Sequence, residues 1–186
     1  FLTEKEGGSD VGANQCNARE VEGSWRLHGQ KWFCSNVNAE AILALARPEG
    51  APKGTEGLAL FLVPKTLSDG RRNPFRIERL KEKLGVRGMA TGEVFFDGTH
   101  AHLIGGPGQG FKQMLSMVNL SRLYNSVSAT ATMRRGLREC VLHAANRKAF
   151  GQTIESYPLL RATVAKLAAQ TEGSREIVFS AAANMD

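Results

Sequence analysis

Hydrophobic and polar residues alternate over short runs in the first hundred residues, which is the pattern of strands with one buried face. Turn-forming residues separate several of these runs, as at Glu22-Gly23 and His28-Gly29. Many short strands at near-regular spacing favour an antiparallel barrel or sandwich over a parallel α/β sheet. The predicted strands cover residues 15–21, 24–28, 31–35, 41–46, 57–64, 75–81 and 92–97.

The spacing of the apolar residues changes after the glycine-rich stretch 105–110. From residue 111 to about 146 they recur three and four positions apart, which predicts a long helix. A second helical pattern follows, and Pro158 suits its first turn. We therefore expect an α+β chain with a β domain over residues 1–104 and the first long helices of a helical bundle over residues 105–186.

The composition is that of an ordinary globular protein, with 42% hydrophobic and 23% charged residues among 186. No apolar run approaches the roughly 20 residues that a membrane helix needs, so we expect no membrane association. Cys16, Cys34 and Cys140 are an odd number without metal-ligand spacing, which favours reduced thiols in a cytosol-like compartment and no metal site. The chain begins at Phe1 rather than Met and stops within a helical pattern, so we interpret it as a segment of a longer protein.

The net charge is +6, and much of the basic excess lies in residues 71–83 and 134–148. Such a surface attracts nucleic acid or nucleotide phosphates, although a solvated face is the simpler explanation. We favour the solvated face or nucleotide binding over DNA binding. The glycines of residues 105–110 lack the Lys-Ser/Thr of a P-loop, so an interdomain turn is the better interpretation.

Three separated segments together indicate a family. Residues 2–11 contain Thr-Glu followed by Gly-Ser-Asp, residues 29–36 read Gly-Gln-Lys-Trp-Phe-Cys-Ser-Asn, and residues 147–151 read Arg-Lys-Ala-Phe-Gly. In this order, across a change from strands to helices, they resemble the acyl-CoA dehydrogenase family of flavoproteins. The resemblance implies the middle β domain of that family, the start of its C-terminal helical domain, and FAD as cofactor.

The strand at residues 31–35 is the one that would pass behind the flavin. A side-chain period of two predicts Phe33 and Ser35 on one face, with Trp32 and Cys34 on the other. The resemblance implies that Phe33 covers the flavin ring and that the Ser35 hydroxyl donates a hydrogen bond to flavin N5, where charge accumulates as hydride arrives. Without the resemblance, Phe33 would be taken as a core residue.

Other cofactor contacts are also implied by the resemblance. The Leu2 main chain and the Thr3 hydroxyl and amide would hold the pyrimidine edge of the flavin, and Ser9 would lie beside the diphosphate or the substrate pantetheine. Arg147 and Phe150 would reach the cofactor of a neighbouring subunit, which implies a homo-oligomer. Taken alone, the residues around Thr3 and Ser9 would be interpreted as turns.

The implied reaction is α,β-dehydrogenation of an acyl-CoA thioester, with hydride transfer to flavin N5 and reoxidation by an electron-transfer acceptor. By resemblance, Arg122 matches a family arginine near the substrate thioester or flavin edge, and Asn119 stands where the family has an aspartate that often touches the CoA. The alternative family position of the catalytic glutamate is Ser121, which cannot act as the base. We therefore expect the base outside this chain and no activity from the chain alone.

Besides Asn119, two departures concern ligand contacts: Met89 stands where many members carry a CoA-binding serine, and Pro158 where many carry glutamine. Residues 79–85 and 133–135 resemble the bacterial alkylation-response homologue of the family. The alternative function is therefore a DNA-associated flavoprotein with weak or no dehydrogenase activity. We expect a bacterial cytoplasmic protein, with a mitochondrial-type compartment left open.

Overall fold

A six-stranded β sheet forms the first unit of the computed structural model, which describes residues 1–185. The strand order is β2-β1-β3-β4-β6-β5, and β2 also pairs with β6, so five of the strands close into a barrel. All pairings are antiparallel except the short one between β1 and β3. The strands are β1 (Asn17–Val21), β2 (Ser24–Cys34), β3 (Ala41–Pro48), β4 (Ala59–Pro64), β5 (Phe75–Leu80) and β6 (Gly92–Ile104).

Strand β2 is longer than the alternation predicts, because the predicted turn at His28-Gly29 is wrong. The chain continues through these residues as one strand, with a register shift against β6 between Leu27 and His28. Gly29 has φ of 128°, and a Cβ there would lie 2.6 Å from the sulfur of Cys16. The glycine therefore permits a close approach of two chain segments, which is its other common role in strands. By contrast, the predicted turn between β1 and β2 is present: Glu22 and Gly23 both have positive φ, as in a tight hairpin.

The barrel is filled by the inward-facing side chains of its strands, which bury a continuous apolar cluster. This burial supplies the main driving force for folding of the unit. The cluster includes small residues on β3, where Ala44 and Ala46 are fully enclosed, and two of the cysteines. Its largest members are Leu27, Ile42, Phe61 and Phe96.

Two long helices follow the barrel, α1 (Gly110–Asn146) and α2 (Pro158–Ala183). Pro158 lies at the start of α2, where its missing N–H costs nothing. The chain separates into two compact units within α1, Phe1–Ser116 and Met117–Asp186. An antiparallel β barrel followed by long helices confirms the predicted fold class. Within residues 1–185, no helix combines the length and apolar character that crossing a bilayer requires.

The start of α1 belongs to the first unit and packs closely on its sheet. The Gly110 amide donates to the Leu58 carbonyl at 3.1 Å, and a Cβ on Gly110 would lie 2.3 Å from the Ala59 carbonyl carbon. Met114, one turn further, is buried. The last glycine of the glycine-rich stretch is therefore required for contact between helix and strand.

The buried cysteines generate a prediction about thiol reactivity. Burial raises the pKa of Cys16 to about 12 and that of Cys34 to about 11, whereas Cys140 lies exposed on α1. Because the thiolate is the reactive species, we expect a native chain at neutral pH to titrate one thiol with a chromogenic disulfide reagent and an unfolded chain to titrate three. A Cys140→Ser variant should lose the native signal; rapid reaction of a second thiol in the native chain would contradict the burial described here.

Candidate functional site

The N-terminal loop, residues 1–8, lies against strand β2. The Trp32 amide donates to the Thr3 carbonyl at 2.8 Å, which extends the edge of β2 by one backbone contact. Glu4 and Gly7 exchange two backbone hydrogen bonds of 3.2 Å, which close the loop into a tight turn. Leu2 and Thr3 are thereby held beside the residues that follow Lys31 in β2.

A buried ion pair fixes this arrangement. The Lys31 ammonium lies 2.6 Å from Glu4 Oε1, and the two side chains are 0% and 4% exposed. The Glu4 carboxylate also accepts hydrogen bonds from the backbone amides of Gln15 at 2.6 Å and Cys16 at 3.2 Å. Burial opposes ionisation of Glu4, but the charge and hydrogen bond of Lys31, together with the Gln15 amide, outweigh it and lower the carboxyl pKa.

The Leu2 carbonyl is engaged by the same cluster. It accepts a hydrogen bond from the Asn14 side-chain amide at 2.8 Å and a longer one from the Lys31 ammonium at 3.4 Å. Lys31 and Asn14 were not singled out by the sequence analysis. A buried lysine must be paired, but neither the burial of Lys31 nor its partner can be read from the strand pattern, so the sequence carries no signal for it.

Phe33 and Ser35, the two predicted flavin-contacting residues near β2, both face out of the core. The Phe33 side chain is 56% exposed, and Ser35 is exposed in a turn, since β2 ends at Cys34 rather than at Ser35. Strict alternation fails here, because Lys31 and Cys34 are both fully buried and the register against β6 shifts between them.

The half-buried Thr3 side chain lies over Gly8, where an added Cβ would come within 3.0 Å of the threonine hydroxyl. Ser9, next in the chain, is exposed in a bend. An exposed aromatic ring at Phe33, with hydroxyl groups at Thr3 and Ser35, suits a flat ligand that needs a wall and hydrogen bonds at its edge. The side chains present are therefore of the types that an isoalloxazine ring would need.

Cations surround Trp32, the neighbour of Phe33. The Lys81 ammonium lies 3.5 Å from the centroid of the Trp32 ring and 4.4 Å from that of the Phe33 ring. The same ammonium donates to the buried Glu93 carboxylate at 2.7 Å, and Arg79 Nε lies 2.5 Å from the same oxygen. Burial opposes ionisation of Glu93, but these two hydrogen bonds lower its carboxyl pKa.

In the second unit, the two predicted substrate-contacting residues of α1 lie together. Arg122 donates to the Asn119 side-chain oxygen at 3.3 Å. Both line an open cavity of about 320 Å³ between α1 and α2, with Ile177 and Ala181 among the opposite residues. Ser121 is exposed, and its hydroxyl lies 3.9 Å from the sulfur of Met117, one turn earlier in the helix.

The Arg-Lys-Ala-Phe-Gly segment forms a small hairpin between the helices, with strands β7 (Lys148–Ala149) and β8 (Gln152–Thr153). Phe150 and Gly151 form its turn with φ of 51° and 86°, and the Phe150 side chain is 96% exposed. The Tyr157 hydroxyl donates to the Ala149 carbonyl at 2.8 Å. The rings of Phe150 and Tyr157 pack edge to face, with their centroids 6.3 Å apart. Arg147 is exposed where the hairpin begins.

Comparison with known proteins gives two family matches. Residues 1–99 match the model described as "Acyl-CoA dehydrogenase, middle domain", and residues 108–186 match "Acyl-CoA dehydrogenase, C-terminal domain". Together they cover both units of the chain, so the order of strands and helices agrees with the order of the two matched domains.

Relatives agree with these matches. The chain is 40% identical to AidB of Escherichia coli (strain K12) over all of its length and 33% of that protein, and 39% identical to acyl-CoA dehydrogenase family member 11 of Caenorhabditis elegans over 98% of the chain and 30% of that protein. A crystal structure of Caenorhabditis elegans ACDH-11 in complex with C11-CoA superposes with a TM-score of 0.86 at 37% identity, over 96% of this chain and 31% of that one. The chain thus spans about a third of these relatives.

The buried ion pair predicts large and compensating effects on stability. Glu4→Gln or Lys31→Met alone leaves one buried charge without its partner, and we expect either to lower the free energy of unfolding by about 3–5 kcal/mol. The double variant Glu4→Gln/Lys31→Met should have a free energy of unfolding closer to that of the wild type, because it leaves no unpaired buried charge. Urea unfolding followed by tryptophan fluorescence measures the stability of the three variants, since Trp25 and Trp32 lie in the first unit.

As a control, Arg19→Met with Glu49→Gln removes an ion pair whose side chains are 61% and 64% exposed. We expect this change to lower the free energy of unfolding by about 0–1 kcal/mol. If either single variant lowers the free energy of unfolding no more than this control, Glu4 and Lys31 do not form a buried ion pair.

The same pair predicts a dependence of stability on pH. The folded-state pKa of Glu4 lies below its ordinary value of 4.5. The ionised Glu4 carboxylate therefore contributes fully to the free energy of unfolding above pH 4.5, and this contribution is lost as the pH falls through the folded-state pKa. Other carboxylates with lowered pKa, Glu93 among them, contribute to the wild type and the double variant alike. We therefore expect the Glu4→Gln/Lys31→Met protein to lose less stability on acidification, measured by urea midpoints on both sides of pH 4.5. Equal losses would show that Glu4 is not stabilised as a carboxylate.

Proposed function

This chain belongs to the acyl-CoA dehydrogenase family, and from that membership we propose that it forms the flavin-binding part of an FAD-dependent oxidoreductase acting on acyl-CoA thioesters. The observation that carries the proposal is the exposed Phe33 ring next to a loop, Leu2–Thr3, that a buried ion pair holds in place. An aromatic side chain left in solvent at a fixed position costs free energy unless a ligand covers it.

Each residue of the proposed flavin site has a separate task. Phe33 covers one face of the ring and excludes water, while the Ser35 hydroxyl donates a hydrogen bond at the position where negative charge accumulates. The Thr3 hydroxyl and amide and the Leu2 amide hold the pyrimidine edge; the Leu2 carbonyl is already engaged by Asn14 and Lys31. FAD, when bound, accepts the hydride that leaves the β-carbon of the substrate.

Substrate contacts are proposed for Ser9 in the first unit and for Asn119 and Arg122 in the second. Arg122 keeps donor groups beyond the one used by Asn119, so it can bind an anionic or carbonyl oxygen. Ser121 has no carboxylate to remove an α-proton, and we place the base outside this chain. The ligand class is supported by the C11-CoA bound to the ACDH-11 relative.

The hairpin that carries Arg147 and Phe150 is proposed to meet a second copy of the protein. Phe150 is almost fully exposed at a tight turn. Burial of this apolar ring against another surface would be favourable, so its exposure indicates a contact site. The Arg147 guanidinium suits bidentate binding of a pyrophosphate. The working form would then be a homo-oligomer in which one subunit contributes Arg147 and Phe150 to the cofactor site of the next.

We further propose that an electron-transfer acceptor reoxidises the protein and that it works in the bacterial cytoplasm. A second candidate function is supported by residues 79–85 and 133–135, which resemble the alkylation-response homologue, and by the net charge of +6. In that case the full-length protein keeps its flavin but associates with DNA, and dehydrogenation is weak or absent.

The two candidates give different results with an acyl-CoA panel. We expect the full-length protein to bind FAD in a titration and straight or branched acyl-CoA thioesters to bleach the flavin absorbance. If FAD binds and no thioester bleaches it, the DNA-associated candidate is favoured. The 186-residue chain alone, which lacks the base, should reduce no artificial acceptor with any acyl-CoA.

Substitution of Phe33 tests the flavin site itself. We expect Phe33→Ala to weaken FAD binding about tenfold, or about 1.4 kcal/mol, because one stacking face is lost. Phe179→Ala is a matched control, since Phe179 is a comparably exposed aromatic residue on α2. An FAD affinity that is unchanged by Phe33→Ala would remove Phe33 from the site.

A further inference from the structure

Lys81 is held in an unusual position for a lysine. Its ammonium lies between two aromatic rings, 3.5 Å from the Trp32 centroid and 4.4 Å from the Phe33 centroid, and its side chain is only 9% exposed. A lysine on a strand end ordinarily extends its ammonium into water. Here the ammonium instead lies against the Trp32 and Phe33 rings.

Two contacts keep the ammonium there. The buried Glu93 carboxylate accepts its hydrogen bond at 2.7 Å, and the backbone amide of Lys81 donates to the Thr91 carbonyl at 2.7 Å. Both contacts come from the start of β6 or the residue before it, so the position of Lys81 depends on a strand that pairs with three others.

The charges around Trp32 do not cancel. Glu93 supplies one negative charge, whereas Lys81, Arg79 and Lys5 supply three positive ones; the last two lie 5.6 Å and 5.9 Å from the Trp32 ring centroid. A partly desolvated cation acts over a longer range than one in water, because less solvent screens it. The surroundings of the Trp32 ring, next to Phe33, therefore carry a net positive charge from these groups.

We propose that Lys81 is a positioning residue that holds a fixed positive charge beside the Phe33 ring and thereby raises the electron affinity of a flavin stacked on that ring. The inference rests on the proposed function, because it needs a flavin at Phe33. A positive charge near the ring stabilises its electron-rich reduced form more than its neutral oxidised form. Lys81 acts through space and touches neither the substrate nor the reacting atoms.

The midpoint potential of the flavin-loaded full-length protein tests this directly. We expect Lys81→Met, which keeps the aliphatic stem, to shift the equilibrium about tenfold toward oxidised flavin, or about 30 mV for a two-electron couple. Lys81→Arg keeps the charge and should restore most of the shift. Lys65→Met is the control, since Lys65 also pairs with a carboxylate, Glu40 at 3.0 Å, in the same unit.

The direction in which a second variant shifts the midpoint potential distinguishes an effect of charge from an effect of altered packing. Glu93→Gln removes the negative partner and leaves the cations, so it should move the potential in the opposite direction, toward easier reduction. If Lys81→Met and Glu93→Gln shift the potential in the same direction, their effect comes from lost geometry and the proposal is overturned. An equal shift in Lys65→Met would overturn it too, because any lost cation would then suffice.

Failure of the inference is distinguishable from failure of the proposed function. A wild-type protein that binds no flavin overturns both, whereas a bound flavin whose potential is the same with and without Lys81 overturns the inference alone. A flavin-free readout tests the contact itself: in a Trp25→Phe background, Lys81→Met should change the emission of Trp32 in the chain. Unchanged emission would show that the Lys81 ammonium does not lie on the Trp32 ring, and would also overturn the proposal.

Discussion

The Lys31–Glu4 ion pair is the interaction on which the candidate site depends. Without it, the N-terminal loop would be held by the backbone contact between Thr3 and Trp32, by the Asn14 side chain, and by the backbone contacts of Phe1 with β3. A buried pair is a weak source of net stability, because desolvation offsets most of the attraction. Its value here is geometric: an ammonium that cannot reach water must keep both the Glu4 carboxylate and the Leu2 carbonyl in place.

The strand and helix content follows from local patterns, and so was accessible from sequence. Alternation gave the strands and three-to-four spacing gave the helices, because both patterns record which face of each element is buried. Gly29 was misjudged as a turn residue because its actual constraint is Cys16, a neighbour in space contributed by another segment. Family resemblance supplied Phe33, Ser35 and Thr3 as site candidates, and their assignment to a flavin stays a prediction.

The charged support of the site was not accessible in the same way. Lys31 and Glu4 are 27 positions apart, and each alone has the sequence character of a solvated surface residue. Glu93 likewise sits in a strand whose pattern gives no hint that Lys81 and Arg79 converge on it. Burial of a charge is a tertiary property, since it depends on partners that only the closed barrel brings together.

The irregularity in β2 allows three consecutive residues to serve three environments. In a regular strand Lys31 and Phe33 would share a face, so either the lysine would be exposed or the aromatic ring would enter the core. The register shift between Lys31 and Cys34 removes this constraint. Lys31 reaches inward to Glu4, Trp32 lies among cations, and Phe33 is left exposed. A bulge next to a binding surface commonly redirects a side chain in this way, and here the same bulge joins the buried support to the exposed ring.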